Sequence, residues 1–257
     1  MRPHLLMVRL GAMGDILHAL PAAAALAAGH PSGRISWLVE PRWAPLLEGN
    51  PFLEHTLLLD RSSPAKLLES LRNLSRQSFD IVVDVQGLLK SAIPGWLSGA
   101  QRRIGYHSSQ CRERAAALFY TQTVRANRTH VVDRNLEVAA AAGAAPQRAA
   151  FPLPPGQPEG SLPSSPFILA NPHAGWGSKQ FPLQHFTELS TLLQNELNLT
   201  LVLNTPPSGA GPLRSLPGVH VHVSGLPGLI HATRLAQAVV GLDSGPMHLA
   251  AALGKPG

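Results

Sequence analysis

The chain holds one cysteine, Cys111, among 257 residues, so no internal disulfide can form and no cysteine-based metal site is available. That usage fits a reducing compartment. Charged side chains are also sparse, 14% against 44% hydrophobic, the profile of a globular chain rather than a disordered one. No uninterrupted apolar run reaches the ~18 residues that a membrane-crossing helix needs. The alanine-rich N-terminus is no secretory leader either, because Arg9, Asp15 and His18 break a stretch that would have to be continuously apolar. A cytoplasmic protein is expected, with peripheral contact to a membrane surface as its closest approach to lipid. The H-E-x-x-H and H-x-x-x-H spacings, the G-x-S-x-G elbow, the P-loop and the G-x-G-x-x-G fingerprint are all missing, so no metal is assigned and no dinucleotide site is supported. No short-period repeat and no heptad is present.

The net charge of +6 is unevenly placed. Residues 151–257 carry four basic side chains (Lys179, Arg214, Arg234, Lys255) and four acidic ones (Glu159, Glu188, Glu196, Asp243), so the whole excess lies in residues 1–150. A basic half beside a neutral half suits an anionic partner, and it equally suits an arginine-rich solvated surface. Nucleic acid is the weakest of the anionic choices, because the basic half lacks interleaved aromatics and any recognisable binding motif.

Hydrophobic patterning alternates strands with helices. Short apolar or β-branched runs at His4–Leu10, Ile35–Val39, Thr56–Leu59 and Phe79–Val85 predict strands. Between them, helices are expected from Ile16 to about Ala28, with Pro21 as a kink or boundary, and over Ala65–Ser75. From Pro146 to Pro166 prolines are too frequent for a helix interior or a central strand, which marks an interdomain linker at 151–165. Beyond it the alternation resumes: strand Phe167–Ala170, helix Leu183–Glu196, strands Thr200–Leu203 and Val219–Val223, helix Leu226–Ala236, strand Ala238–Leu242 and a helix from Pro246. The expected class is α/β with parallel sheets, in two Rossmann-like domains at 1–150 and 166–257 with a cleft between them. The end at Ala-Leu-Gly-Lys-Pro-Gly, just after a helix, reads as an incomplete second domain.

Three loops stand where an open α/β sheet binds ligands, at the carboxyl ends of strands. Gly11-Ala-Met-Gly-Asp15 follows the first strand and opens a helix. Asp15 at that position is a plausible general base for a sugar hydroxyl, and it is equally a helix-capping carboxylate. Asp84-Val-Gln-Gly-Leu-Leu-Lys-Ser91 follows another strand, with Lys90 able to meet a phosphate or carboxylate or simply to face solvent. Asp243-Ser-Gly-Pro-Met-His248 ends a strand and starts a helix whose first amides, from Ser244 and Gly245, suit an anion such as a nucleotide diphosphate. An ordinary well-capped helix would read the same. Lys179, after the glycine-bearing loop His173–Ser178, supplies a second positive group.

Met13-Gly-Asp-Ile-Leu-His-Ala-Leu-Pro21, Asp84-Val-Gln-Gly-Leu-Leu-Lys-Ser-Ala92, Arg103-Ile-Gly-Tyr106, Arg112-Glu-Arg-Ala-Ala-Ala-Leu-Phe-Tyr120, the loop ending at Lys179-Gln-Phe-Pro182 and Asp243-Ser-Gly-Pro-Met-His-Leu-Ala-Ala251 run in order over nearly the whole chain. Together they resemble the ADP-heptose:lipopolysaccharide heptosyltransferases of glycosyltransferase family 9, and within it the subgroup that adds the first heptose to Kdo. The resemblance implies a GT-B fold with the acceptor held by the first domain and the donor by the second. It implies inverting, metal-independent transfer of heptose from ADP-heptose to Kdo-lipid A at the cytoplasmic face of the inner membrane, with no cofactor. Asp15 matches the family's catalytic base. Lys179, Asp243, Ser244, Gly245 and His248 match donor-binding positions, and Gly14, Lys90 and Arg112 match acceptor-binding ones. Two alternatives are a member that uses a heptose acceptor and a non-catalytic ADP-binding remnant. Two departures stand out. Where members carry an acidic residue for the nucleotide's ribose, this chain reads Asn204-Thr-Pro-Pro-Ser-Gly-Ala-Gly211, and members continue beyond Gly257.

Overall fold

The computed structural model describes residues 2–145, 150–172 and 181–257. The chain divides into two compact units, Met1–Pro152 and Leu153–Gly257.

The first unit is one parallel sheet of six strands in the order β3-β2-β1-β4-β5-β6. The strands are β1 (His4–Val8), β2 (Arg34–Val39), β3 (His55–Leu58), β4 (Ile81–Asp84), β5 (Arg102–Tyr106) and β6 (Gln122–Val124). β1 is buried along its whole length because it pairs on both sides, Leu5 with Ile35 of β2 and with Ile81 of β4. That double pairing explains its unbroken apolar run. The helices are α1 (Met13–Leu17), α2 (Leu20–Gly29), α3 (Pro64–Ser75), α4 (Leu89–Leu97) and α5 (Val131–Ala140). Pro21 sits in the first turn of α2 and so separates α1 from α2, where its missing N–H costs nothing. Ser63 caps α3 by accepting from the Lys66 amide, with Pro64 behind it. Leu6, Val8, Leu38, Leu59, Leu74, Phe79 and Val82 form one core cluster of this unit.

The second unit is a four-stranded parallel sheet in the order β10-β7-β8-β9. Its strands are β7 (Phe167–Asn171), β8 (Thr200–Thr205), β9 (His220–Val223) and β10 (Ala238–Gly241). The helices are α6 (Gln184–Leu197), α7 (Ala210–Leu213), α8 (Leu226–Leu235) and α9 (Gly245–Ala252). Ile168, Ala170, Phe186, Leu201, Leu203 and Leu213 make its core. The proline-rich stretch expected to link the domains belongs to this unit from Leu153 onward. Arg234 donates to the Leu153 and Pro154 carbonyls, the Gln157 amide donates to Pro227, and His222 Nε2 meets the Glu159 carbonyl at 2.7 Å. Backbone that cannot enter a sheet is thus satisfied by side chains and by α8.

Strand order dictates where ligands fit. In the first unit the chain winds from β1 toward β3 and then returns to start β4 on the other side, so the crevice opens past the ends of β1 and β4. In the second unit the same reversal lies between β7 and β10.

Candidate active site

At the first reversal the residues after β1 and β4 line a cavity of about 140 Å³ together with α1, α5 and the segment after β5. Asp15, Arg9, Arg112, Arg134, Gln86 and Gln110 all face it, so one carboxylate stands among three guanidinium groups. Asp15 is anchored on one oxygen. Its Oδ2 pairs with Arg9 Nη2 and accepts from the Ala12 amide at 3.3 Å. Arg9 is held from the other side as well, since Nη1 donates to the Val85 carbonyl at 2.6 Å and the Arg9 carbonyl accepts from the buried Trp37 indole at 3.0 Å. Asp15 therefore stands at a strand-to-helix turn that is stapled to the end of β4.

A second staple is Gln86. Its side-chain oxygen accepts from the Leu10 amide at 2.7 Å, and its own amide donates to Asp84 Oδ1 at 2.8 Å. Asp84 is wholly buried, and that burial pushes its carboxyl above the usual range against the pull of the Gln86 amide and the Tyr120 hydroxyl. Burial also raises Tyr120, further helped by the Asp84 charge. The turn after Asp84 needs Gly87, whose φ of +68° puts the backbone in the left-handed region. Tyr106 lines the cavity with its hydroxyl donating to Asn135 Oδ1 at 2.7 Å, and burial lifts its phenol to about 12. Burial, with the Asp84 charge, lifts the Cys111 thiol to about 11, which favours its protonated form.

The expected acceptor residues separate into two groups. Arg112 lines the cavity with Asp15, and Gly14 precedes Asp15 within α1. Lys90, in α4, is not a free cation: its ammonium lies 3.6 Å from Glu40, which also meets Arg42 at 3.1 Å and Arg61 at 3.5 Å. Three cations around one carboxylate leave this cluster net positive. Sequence reasoning missed Arg9, Gln86, Gln110, Arg134 and Glu40. Gln86 sits inside the Asp84–Ala92 motif and Arg9 lies in the expected first strand just before the Gly11–Asp15 loop, which was the available signal, whereas Gln110, Arg134 and Glu40 lie in no motif.

In the second unit, Asp243, Ser244, Gly245 and His248 surround the start of α9, just past β10. Ser244 has extended backbone at the N-cap, and its hydroxyl donates to the Leu242 carbonyl rather than capping the helix. The first amides of α9 thus keep no side-chain acceptor from Ser244, an arrangement that suits an anion. His248 Nε2 lies 3.8 Å from Asp243 Oδ1. Lys179 and the loop His173–Ser178 lie outside the described residues. A larger cavity of about 410 Å³ beside α6 and β10 is lined chiefly by Phe181, Phe186, Leu189, Leu192 and Val240, so the charged groups converge elsewhere. Among the described residues no group of three or more His, Cys, Asp or Glu side chains stands together as a metal site, and no helix is long and apolar enough to cross a membrane.

Residues 67–257 match the family model of glycosyltransferase family 9 (heptosyltransferase). The chain is 27% identical over 289 residues to lipopolysaccharide heptosyltransferase 1 of Pseudomonas aeruginosa, covering 98% of this chain and 76% of that protein. The fold is similar to that of Escherichia coli heptosyltransferase WaaC with ADP, at a TM-score of 0.84 and 24% identity over 98% of this chain and 85% of that one. Against the same enzyme with ADP-2-deoxy-2-fluoro heptose the TM-score is 0.81 at 26% identity, over 98% of this chain and 87% of that one.

Proposed function

The chain belongs to glycosyltransferase family 9, the heptosyltransferases, and from that premise we propose that it transfers heptose from ADP-heptose to the Kdo of Kdo-lipid A. The transfer inverts the anomeric carbon and proceeds without a metal ion or cofactor. One observation carries the reading: a carboxylate, Asp15, stands in a cavity with Arg9, Arg112 and Arg134 at the reversal of the first sheet. Arg9 is already tied to Asp15 and the Val85 carbonyl, so Arg112 and Arg134 are the groups that suit a sugar acid, because guanidinium groups hold carboxylates in paired hydrogen bonds. Lys90, Arg42 and Arg61 offer a further net positive patch to the acceptor's phosphates.

Asp15 takes the proton from the acceptor hydroxyl. As that O–H bond breaks, the hydroxyl oxygen bonds to the heptose anomeric carbon, and the bond from that carbon to the ADP oxygen breaks with its electron pair. A single displacement of this kind inverts the centre. ADP departs as an anion, and charge develops on its terminal phosphate. The Ser244 and Gly245 amides at the start of α9, with Asp243 and His248 beside them, would receive that charge, and Lys179 is proposed as a second cation for it. A relative, WaaC, has been solved with ADP and with a fluorinated ADP-heptose, which supports a donor of this class here.

The test is transfer from ADP-heptose to Kdo-lipid A by the wild-type chain and by Asp15→Ala. Collapse of the rate in the variant is expected. Transfer only to an acceptor that already carries heptose would move the chain to the heptose-adding members. ADP binding without transfer to either acceptor would make it a binding remnant. Equal rates in both proteins would remove Asp15 from the mechanism.

A further inference from the structure

Arg9 is a cation with 7% of its side chain exposed, although it lines the cavity that holds Asp15. Its partners are few and fixed. Nη2 pairs with Asp15 Oδ2, Nη1 donates to the Val85 carbonyl at 2.6 Å, and Nε is buried with no partner. The backbone beneath is clamped too, the Arg9 amide donating to Leu38 at 3.3 Å and its carbonyl accepting from Trp37 at 3.0 Å. Both contacts of the Asp15 carboxylate, from Arg9 and from the Ala12 amide, fall on Oδ2, and Oδ1 carries neither.

A carboxylate turns freely about its last side-chain bond unless one oxygen is tied down. Tying Oδ2 at two points fixes the plane of the group and leaves the lone pairs of Oδ1 in a set direction. We infer that Arg9 is the positioning residue of the transfer reaction: it orients Asp15 so that Oδ1, and not Oδ2, accepts the acceptor's hydroxyl proton. The inference rests on the reading of Asp15 as the base. It adds that the base has one working oxygen and that a group outside the acceptor's own contacts selects it. A guanidinium is required because it must serve Asp15 and the Val85 carbonyl at once. A lysine ammonium, a single point charge, can be placed against one of them but not held across both.

The experiment is a set of four proteins, wild type, Arg9→Met, Asp15→Asn and the double variant, with kcat and KM measured for both substrates. Arg9→Met is expected to lose about 10²-fold in kcat, as a misplaced catalytic group does, with both KM values within about twofold of wild type. The double variant should be no slower than Asp15→Asn alone, because Arg9 acts only through Asp15. Millimolar guanidinium added to Arg9→Ala should restore part of the rate and should do nothing for Asp15→Asn. A loss in Arg9→Met carried by the acceptor KM would overturn the inference, making Arg9 a substrate contact. Losses that multiply in the double variant would overturn it as well. Should Arg9→Met not fold, Arg9→Lys decides: a lowered kcat at unchanged KM supports positioning, and a wild-type kcat rejects it. A wild-type chain that transfers no heptose would reject the proposed transfer, and the inference with it, which is a different failure from normal transfer with an indifferent Arg9.

Discussion

The Tyr120 hydroxyl donates to Asp84 Oδ2 over 2.8 Å, in a place where the carboxylate has no access to water. The bond reaches across β5 because Gly105 has no side chain. A Cβ there would come within 2.4 Å of the Tyr120 ring. The pair holds the turn that carries Gln86, and Gln86 in turn holds the loop of Asp15.

Tyr120→Phe should therefore destabilise the first unit by about 1–3 kcal/mol, the cost of leaving a buried acceptor short of one donor. Urea unfolding of the purified variant measures it. An unchanged midpoint would mean that the Gln86 and Gly87 amides, at 2.8 and 3.3 Å from Asp84 Oδ1, satisfy the carboxylate alone.

Gly105→Ala should cost a similar ~1–3 kcal/mol, since the added methyl displaces the Tyr120 ring. Both changes break the same contact, so the double variant should lose clearly less than the sum of the two. Additive losses in the same unfolding assay would show that the ring and the hydroxyl act separately.

Lys90→Ala should raise the acceptor KM about fivefold at low salt, the value of a partly exposed charge worth about 1 kcal/mol, and leave the donor KM alone. The difference should shrink as salt is added, because screening falls hardest on exposed charges. Steady-state rates at two ionic strengths read it out. A salt-independent effect would point instead to a packing role for the lysine stem.

Each unit also contains a histidine whose two ring nitrogens are both engaged in the neutral form. His4 meets the Ser78 carbonyl and the Ser36 hydroxyl, and His222 meets the Glu159 carbonyl and the Asn204 amide. Burial is the main cause that lowers both from 6.5. The unfolded chain then binds more protons than the folded one as pH falls through 6.5, so stability should drop from there downward and level off below the depressed folded values. Melting temperatures across pH 5 to 7 should slope accordingly, and His4→Gln should flatten the part of the slope that belongs to the first unit. A flat wild-type profile would contradict both shifts.

The fold was largely legible in the chain. Buried parallel strands read as continuous apolar runs, and β1, β2, β7, β8 and β10 fell within two residues of their expected bounds. β5 and β6 were missed because they carry no such run: β5 opens on the polar Arg102-Arg103, and the short Gln122-Thr-Val of β6 is an edge strand that exposes polar side chains. Pro21 marked a true boundary between α1 and α2. Of the site, the loops were visible because glycines and acidic residues cluster after strands. The partners were not. Arg9 with Val85, and Lys90 with Glu40, are contacts made by strand order, which brings β1 beside β4 and places the end of β2 near α4, whereas Arg9 with Asp15 is a side-chain contact across one strand-to-helix turn.

The doubly paired β1 has a consequence for biosynthesis. Asp80, which its His4 amide must reach, leaves the ribosome 76 residues after it. At a synthesis rate of about 5–20 residues per second, that is a wait of roughly 4–15 s with one flank of a strand destined for full burial unpaired. Nascent chains of this protein should depend on holding factors during that interval more than a chain whose first strand closes a hairpin with its second.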